Sequence, residues 1–260
     1  MATYNKRGYK APKPKDGSED EFDQYSNVNA ADSTTAEVFD SLDKGATRVE
    51  GWAEKNQKYI YGVVGAIALI TVGYLGYGKL VMEPKEEDAA NEIFQAQSYF
   101  NEATNNPINS DSLYNLALNG GEGKLGMLGV IESYSGTKTA NLAEYYAGMS
   151  YLNMGDFKNA ISHLEKFKSE DMILSSLSLG GIGDAFSELG QSNDAFEYYK
   201  KAASNTKNEF TSPRFLKKAG LIALELGKKD EALKMFNEIK NNYQSAAEAS
   251  SVDALIGLAQ

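Results

Sequence analysis

The chain has no cysteine and a single histidine, His163. Without thiols there is no disulfide framework and no thiolate metal site, so any folded domain must be held by packing alone. A third absence is more informative. The twenty residues from Tyr59 to Gly78 carry no charge and are bracketed by Lys58 and Lys79. At about 1.5 Å of rise per residue, a helix of that length covers the ~30 Å hydrocarbon core of a bilayer. A helix in a soluble core rarely needs so long an uncharged run. Tyr59 and Tyr61 at one end and Tyr74 and Tyr77 near the other suit the headgroup level. A cleaved signal peptide is not expected, because 58 residues precede the run and no small-x-small cleavage site follows it. The reading is a single-pass membrane span over 59–81.

Orientation follows from the basic residues near the span. Lys44, Arg48, Lys55 and Lys58 lie on its N-terminal side, against only Lys79 and Lys85 on the other, where Glu83, Glu86, Glu87 and Asp88 crowd around them. Basic residues are retained on the cytoplasmic face, which places the N-terminus in the cytoplasm and residues 79–260 outside. Residues 1–58 hold nine Lys/Arg and eleven Asp/Glu, and residues 79–260 hold seventeen and twenty-five, a net of −8. A surface of that sign repels phosphate backbones, so the outer domain is not expected to bind nucleic acid.

Residues 1–32 are polar and low in aliphatics and are expected to be a disordered tail. Their basic cluster, Lys6, Arg7, Lys10, Lys13 and Lys15, suits anionic membrane lipid or ribosomal RNA. Over 33–58, Val38, Leu42, Val49 and Trp52 recur at helical spacing with Gly45 in the gap. That pattern predicts an amphipathic juxtamembrane helix whose stripe either lies on the inner leaflet or pairs with another helix. Beyond Pro84 nothing alternates like a strand, and an all-α domain is expected over 84–260. Its first helix, Glu86 to Glu102, reads as an unpaired repeat helix with Ala90, Phe94, Gln97 and Phe100 on one face. Ser110 to Ser133 reads as further helix, interrupted at Asn119-Gly-Gly-Glu-Gly.

The domain then repeats. Gly148, Gly183 and Gly220 stand in equivalent positions, as do Gly155, Gly190 and Gly227, and both sets step by 35 and then 37 residues. Ala160, Ala195 and Ala232 follow, each with a large residue four places on: Leu164, Tyr199 and Phe236. The first glycine and the alanine let two antiparallel helices approach, the large residue fills the gap, and the second glycine ends a helix with positive φ. This is the tetratricopeptide pattern, read over about 141–174, 176–209 and 213–246, with a capping helix over 245–260 carrying Ala247, Val252, Leu255 and Leu258. The chain departs from it where a tryptophan is usual, having Glu144, Leu179 and Leu216, and the closing proline is missing. Ser212 and Pro213 are expected to open the third repeat as N-cap and first-turn proline. The fold class expected is a single N-terminal transmembrane helix followed by a tetratricopeptide-repeat α-solenoid.

This order of parts, with the Gly136-Thr-Lys-Thr-Ala-Asn-Leu-Ala-Glu-Tyr-Tyr-Ala-Gly148 run entering the first clear repeat, resembles the YfgM-like family in its Bacteroidota-type form. The resemblance covers about 33–260. It implies an ancillary subunit of the SecYEG translocon in the bacterial inner membrane, with a periplasmic domain working beside a PpiD-type membrane-anchored chaperone on nascent or unfolded exported proteins. An anchored adaptor of another cell-envelope assembly or secretion complex is the alternative.

No catalytic constellation, cofactor motif or metal-ligand spacing emerges, and a non-enzymatic protein is expected. Gly180-Gly-Ile-Gly183 lacks the preceding strand and the third glycine of a nucleotide loop. His163 reads as a packing or surface histidine. Stacked first helices of such repeats line a concave groove, and the register turns Leu142, Tyr145, Met149 and Asn153, then Asp184, Ser187 and Glu188, then Lys217, Leu221 and Leu224 toward it. Tyrosine and methionine suit varied apolar side chains. They also stand where a carboxylate-clamping repeat domain needs basic and amide groups. Within the span, Gly62, Ala66, Gly73 and Gly76 form a stripe along which a neighbouring membrane helix could approach.

The orientation is directly testable. Ser18→Cys and Ser110→Cys should label from opposite sides of intact inner membrane, Ser110→Cys from the outside. Labelling of Ser18→Cys alone from outside would reverse the topology.

Overall fold

The computed structural model describes residues 34–205 and 207–260; the tail over 1–32 lies outside the described residues. It forms two compact units that divide between Val72 and Gly73.

The described part of the first unit is helix, belonging to α1 (Thr34–Tyr77). The sequence suggests a juxtamembrane helix and a separate span; in the structure they are one helix with no break at Lys58, because neither proline nor a capping side chain interrupts the backbone ladder there. It carries the one stretch among the described residues that is long and apolar enough to cross a membrane, with mean hydropathy 1.7 and 0% of it buried. An apolar helix with no protein cover fits hydrocarbon as its solvent.

The second unit takes in the end of α1 and a π-helical turn at Gly78–Met82. First come α2 (Glu83–Asn105), α3 (Ser110–Asn119), a short antiparallel hairpin of β1 (Gly120–Gly121) and β2 (Lys124–Leu125), and α4 (Met127–Ser133). Three helical hairpins come next: α5 (Lys138–Asn153) with α6 (Phe157–Lys166), α7 (Met172–Glu188) with α8 (Ser192–Asn205), and α9 (Thr211–Glu225) with α10 (Lys229–Asn242). A 3-10 turn (Ala247–Ser251) and α11 (Val252–Ala259) cover the last pair.

The repeat positions do what their residue types allow. A Cβ on Gly148 would lie 2.6 Å from Leu164, one on Gly183 2.7 Å from Tyr199, and one on Gly220 2.4 Å from Phe236. Each large side chain of a second helix therefore rests on bare backbone of its own repeat's first helix, and not only between repeats. The turn glycines have φ of +79°, +72° and +71°. Around each, the glycine N–H and the next N–H bond back to the two carbonyls of a Schellman cap, as in Gly155 to Leu152 and Asp156 to Tyr151. Two cores result. One joins Ile93, Ala96, Leu118, Met127, Val130, Ala143 and Ala147. The other is built on Phe196, Tyr199, Phe215, Phe236 and Ile239.

Four details differ from the sequence reading. The buried face of α2 is Ala89, Ile93, Ala96 and Ala103, so Ala90 and Phe94 point to solvent and Phe94 is 71% exposed. Both stripes have helical spacing; α2 pairs with α3 and α5, which selects the one with small side chains that permits close approach. The Asn119–Gly123 break is a hairpin, because Glu122 and Gly123, with φ of +53° and +77°, make the tight turn that right-twisted strands need. Helix α9 starts at Thr211 with Phe210 at the N-cap position, so Ser212 lies inside the first turn and does not cap it; just ahead, the Asn208 side-chain oxygen accepts from the Phe210 and Thr211 N–H groups. In the capping segment Val252 is buried, whereas Leu258 is 68% exposed.

Glu86 ties α2 to the repeats. Its carboxylate accepts from the Lys138 N–H at 2.6 Å, the Thr139 N–H at 2.8 Å and the Thr139 hydroxyl at 2.6 Å, at the N-terminus of α5. Beside it, Lys85 Nζ donates to the Ser135 carbonyl at 2.8 Å. Desolvation pushes the Glu86 carboxyl up, but the Thr139 hydroxyl, the two backbone bonds and the Lys138 charge together hold it below the usual range. A depressed folded value means the contact stabilises above the ordinary carboxylate range and is lost as pH falls through the depressed value. Glu86→Ala should therefore speed hydrogen exchange at the Lys138 and Thr139 amides at neutral pH. Wild type should reach the variant's rates only in acid, below about pH 4.5, the carboxyl's ordinary value.

Candidate protein-binding face

The first helices α5, α7 and α9 supply the residues the register turns toward a groove. Leu142, Tyr145 and Met149 of α5 are half-buried and Asn153 is exposed. Asp184 and Ser187 of α7 are half-buried and Glu188 is exposed. On α9, Lys217 and Leu224 are half-buried, and Leu221 is 42% exposed.

Four of these are brought together. Asn153, Asp184, Ser187 and Glu188 line one cleft of 540 Å³ with Leu152, Phe157, Tyr199 and Lys218. Asp184 organises it. Its Oδ1 accepts from the Tyr199 hydroxyl at 2.6 Å and from Lys218 Nζ, joining α7, α8 and α9. Burial pushes the Tyr199 phenol far above its ordinary value, and the hydrogen bond and charge of Asp184 push the same way. Tyr199 is thus a fixed hydrogen-bond donor and not an acid at physiological pH.

Tyr145 and Met149 lie elsewhere and are already engaged. The Tyr145 ring packs on Tyr146 at 5.7 Å and on Phe167 at 5.3 Å. Burial raises its hydroxyl pKa, joined by Tyr146 and opposed by the positive charge of Arg214 on α9. Met149 reaches the α7 backbone, its sulfur 3.3 Å from where a Cβ on Gly181 would stand. The glycine run of α7 is helix packing: a Cβ on Gly180 would meet the Phe215 ring at 2.0 Å.

Two residues escape the sequence reading. Arg214 occupies in the third repeat the position Leu142 holds in the first, 72 residues on, so the register itself points to it. Lys218 had no such signal; only the packing of α9 on α7 aims it at Asp184. Within the span, Gly62, Ala66 and Gly73 are exposed and Gly76 is half-buried. A Cβ on any of the three glycines would meet nothing within 4 Å.

His163 is paired. Its Nδ1 lies 2.5 Å from Glu144 Oε2, both side chains are mostly buried, and its ring stacks on Tyr151 at 5.4 Å. Glu144 is the departure from the tryptophan position, and His163 compensates for it. The equivalent places in the other repeats hold Leu179 with Tyr198 and Leu216 with Met235. No nucleophile joins the pair, and among the described residues no group of three His, Cys, Asp or Glu is arranged to hold a metal ion.

Tetratricopeptide repeat models match residues 142–171, 178–208 and 218–246. No curated protein and no solved structure matches the chain. The chain thus carries tetratricopeptide repeats in an all-α fold that also includes one span-length apolar helix. Such repeats are scaffolds for binding other proteins, and no enzyme-like family or fold is found.

The Glu144–His163 pair gives a prediction. His163→Ala should lower stability by about 1–3 kcal/mol, by leaving a mostly buried carboxylate without its partner. The double variant Glu144→Leu/His163→Met, which copies the third repeat, should recover most of the loss. Thermal unfolding of full-length protein in detergent checks both.

Proposed function

We propose that the protein is a non-enzymatic scaffold anchored in the bacterial inner membrane by α1, presenting its repeat domain to the periplasm to hold polypeptide segments. The observation that carries the reading is an uncovered span-length helix in the same chain as three tetratricopeptide repeats. The retained lysines and arginine before the span support an N-terminus in the cytoplasm. The resemblance to the YfgM-like family supports SecYEG as the membrane partner, and a PpiD-type chaperone together with exported chains as partners of the repeats. The glycine stripe in the span is the surface proposed to meet the translocon, and Leu221, the exposed apolar residue on the groove side of α9, the contact with polypeptide.

Photo-crosslinkers placed singly at Gly73 and at Leu221 of the full-length protein in native membranes separate the two contacts. The probe at Gly73 should capture SecY, and the probe at Leu221 a periplasmic chaperone or exported chains. Leu221→Asp should weaken the second contact about thirtyfold, the effect of ~2 kcal/mol at an interface centre, and leave the first unchanged. Capture of a different envelope complex from the span would overturn the translocon assignment and favour an adaptor of that complex.

A further inference from the structure

Because α1 is unbroken across Lys58, the 25 residues from Thr34 to Lys58 continue in the line of the membrane-crossing segment. At ~1.5 Å per residue they stand about 37 Å out of the bilayer. A helix lying in the headgroup plane would have to break sharply where the span begins, and no proline or π-turn stands there to break it. Yet this stretch carries an apolar stripe in water: Val38, Leu42, Val49 and Trp52 are 56%, 62%, 65% and 62% exposed.

The stripe has a seven-residue period. Leu42, Val49, Asn56, Val63 and Ile70 are seven apart, and so are Val38, Gly45, Trp52, Tyr59 and Ala66, four residues ahead of the first set. These are the a and d positions of a coiled coil, and they run from the aqueous segment into the span without changing register. A straight α-helix drifts ~20° per heptad against this repeat, or about 90° from Val38 to Ile70. A flat membrane surface cannot follow that drift; a second helix wound around the first can.

The identities at these positions say which second helix. Val49, Val63 and Ile70 supply the β-branched a positions of two-stranded coiled coils, with Val38, Gly45, Trp52, Tyr59 and Ala66 at d in place of leucine, and Asn56 is the one strongly polar residue in the series, at an a position where a facing asparagine fixes register. Every acidic residue of the stretch, Glu37, Asp40, Asp43, Glu50 and Glu54, falls at b, c or f, away from the seam. Arg48 and Lys55 fall at g. In a parallel pair they face Ala53 and Ile60 of the other strand, whereas an antiparallel pair would bring basic g positions toward one another. A second copy of this chain, sharing its orientation in the membrane, meets all these conditions. We propose that α1 forms a parallel two-stranded coiled coil with α1 of a second copy, through Leu42, Val49, Asn56 and Val63 and their d neighbours.

The chain has no cysteine, so single introduced cysteines report without background. In native membranes under mild oxidation, full-length Leu42→Cys, Val49→Cys and Asn56→Cys should give a disulfide-linked species of twice the chain mass. Its yield should be at least tenfold that of Asp43→Cys, Glu50→Cys and Gln57→Cys, one position on. Equal yields at all six sites, no dimer at any, or adducts of another mass at the seam sites would each overturn the proposal. Adducts of another mass would assign the seam to a different protein. As a second measurement, detergent-solubilised wild type should have twice the polypeptide mass of Leu42→Asp/Val49→Asp by light scattering; equal masses would overturn it as well.

Discussion

The repeat domain depends on one steric relation, a large side chain of a second helix seated on a glycine of the first. It occurs at Leu164 on Gly148, Tyr199 on Gly183 and Phe236 on Gly220. Close packing gains many small dispersion contacts only if backbones approach, and a single methyl at any of these glycines would collide with the seated residue. The glycine costs helix stability, by roughly 1 kcal/mol relative to alanine, and the seated side chain offsets it. Because the relation recurs in each repeat, it sets the angle within every hairpin. The turn glycines then fix where each first helix stops, so the hairpins stack in register without a disulfide.

That relation also explains what was legible in the sequence. Spacings of 35 and 37 residues between glycines are visible without a structure, and the three hairpins follow from them. What failed depended on contacts between elements. Ala90 and Phe94 form as good a helical stripe as Ala89 and Ile93, and only the approach of α3 and α5 selects between them. The break at Asn119 looked like an interruption, since a hairpin with strands of two residues is too short to show alternation. Glu144 reads as a departure from the repeat pattern and His163, nineteen residues on, as a packing or surface histidine, with nothing to link them. Folded together, they make one polar contact where the other repeats are apolar.

The groove residues show the same limit in another form. Repeat register says which positions turn toward the concave side, but not which are consumed by packing. Tyr145 is held against Phe167 and Tyr146, and Met149 against the α7 backbone, so much of their surface already stabilises the first repeat. Asp184 is held by Tyr199 and Lys218. Side chains fixed by such partners lose little freedom when a ligand arrives, which favours them as a preorganised floor. Leu221, by contrast, remains 42% exposed and is the groove residue with apolar area still to gain from a partner.

The residues read as groove-facing therefore fall into two groups that differ in kind. Midway along α5 lies the Tyr145 ring, within reach of the charge of Arg214 at the start of α9. Toward the C-terminal ends of the first helices lies the cleft of Asn153, Asp184, Ser187 and Glu188. An extended chain crossing these helices would meet aromatic and cationic surface at one edge and fixed carboxylate and hydroxyl acceptors and donors at the other. On the proposed reading, that arrangement would discriminate by chain polarity and side-chain pattern more than by one deep pocket. On the proposed reading as a scaffold for polypeptide segments, apolar contact such as that offered by Leu221 would supply affinity, while the polar cleft would limit the direction in which a chain can lie.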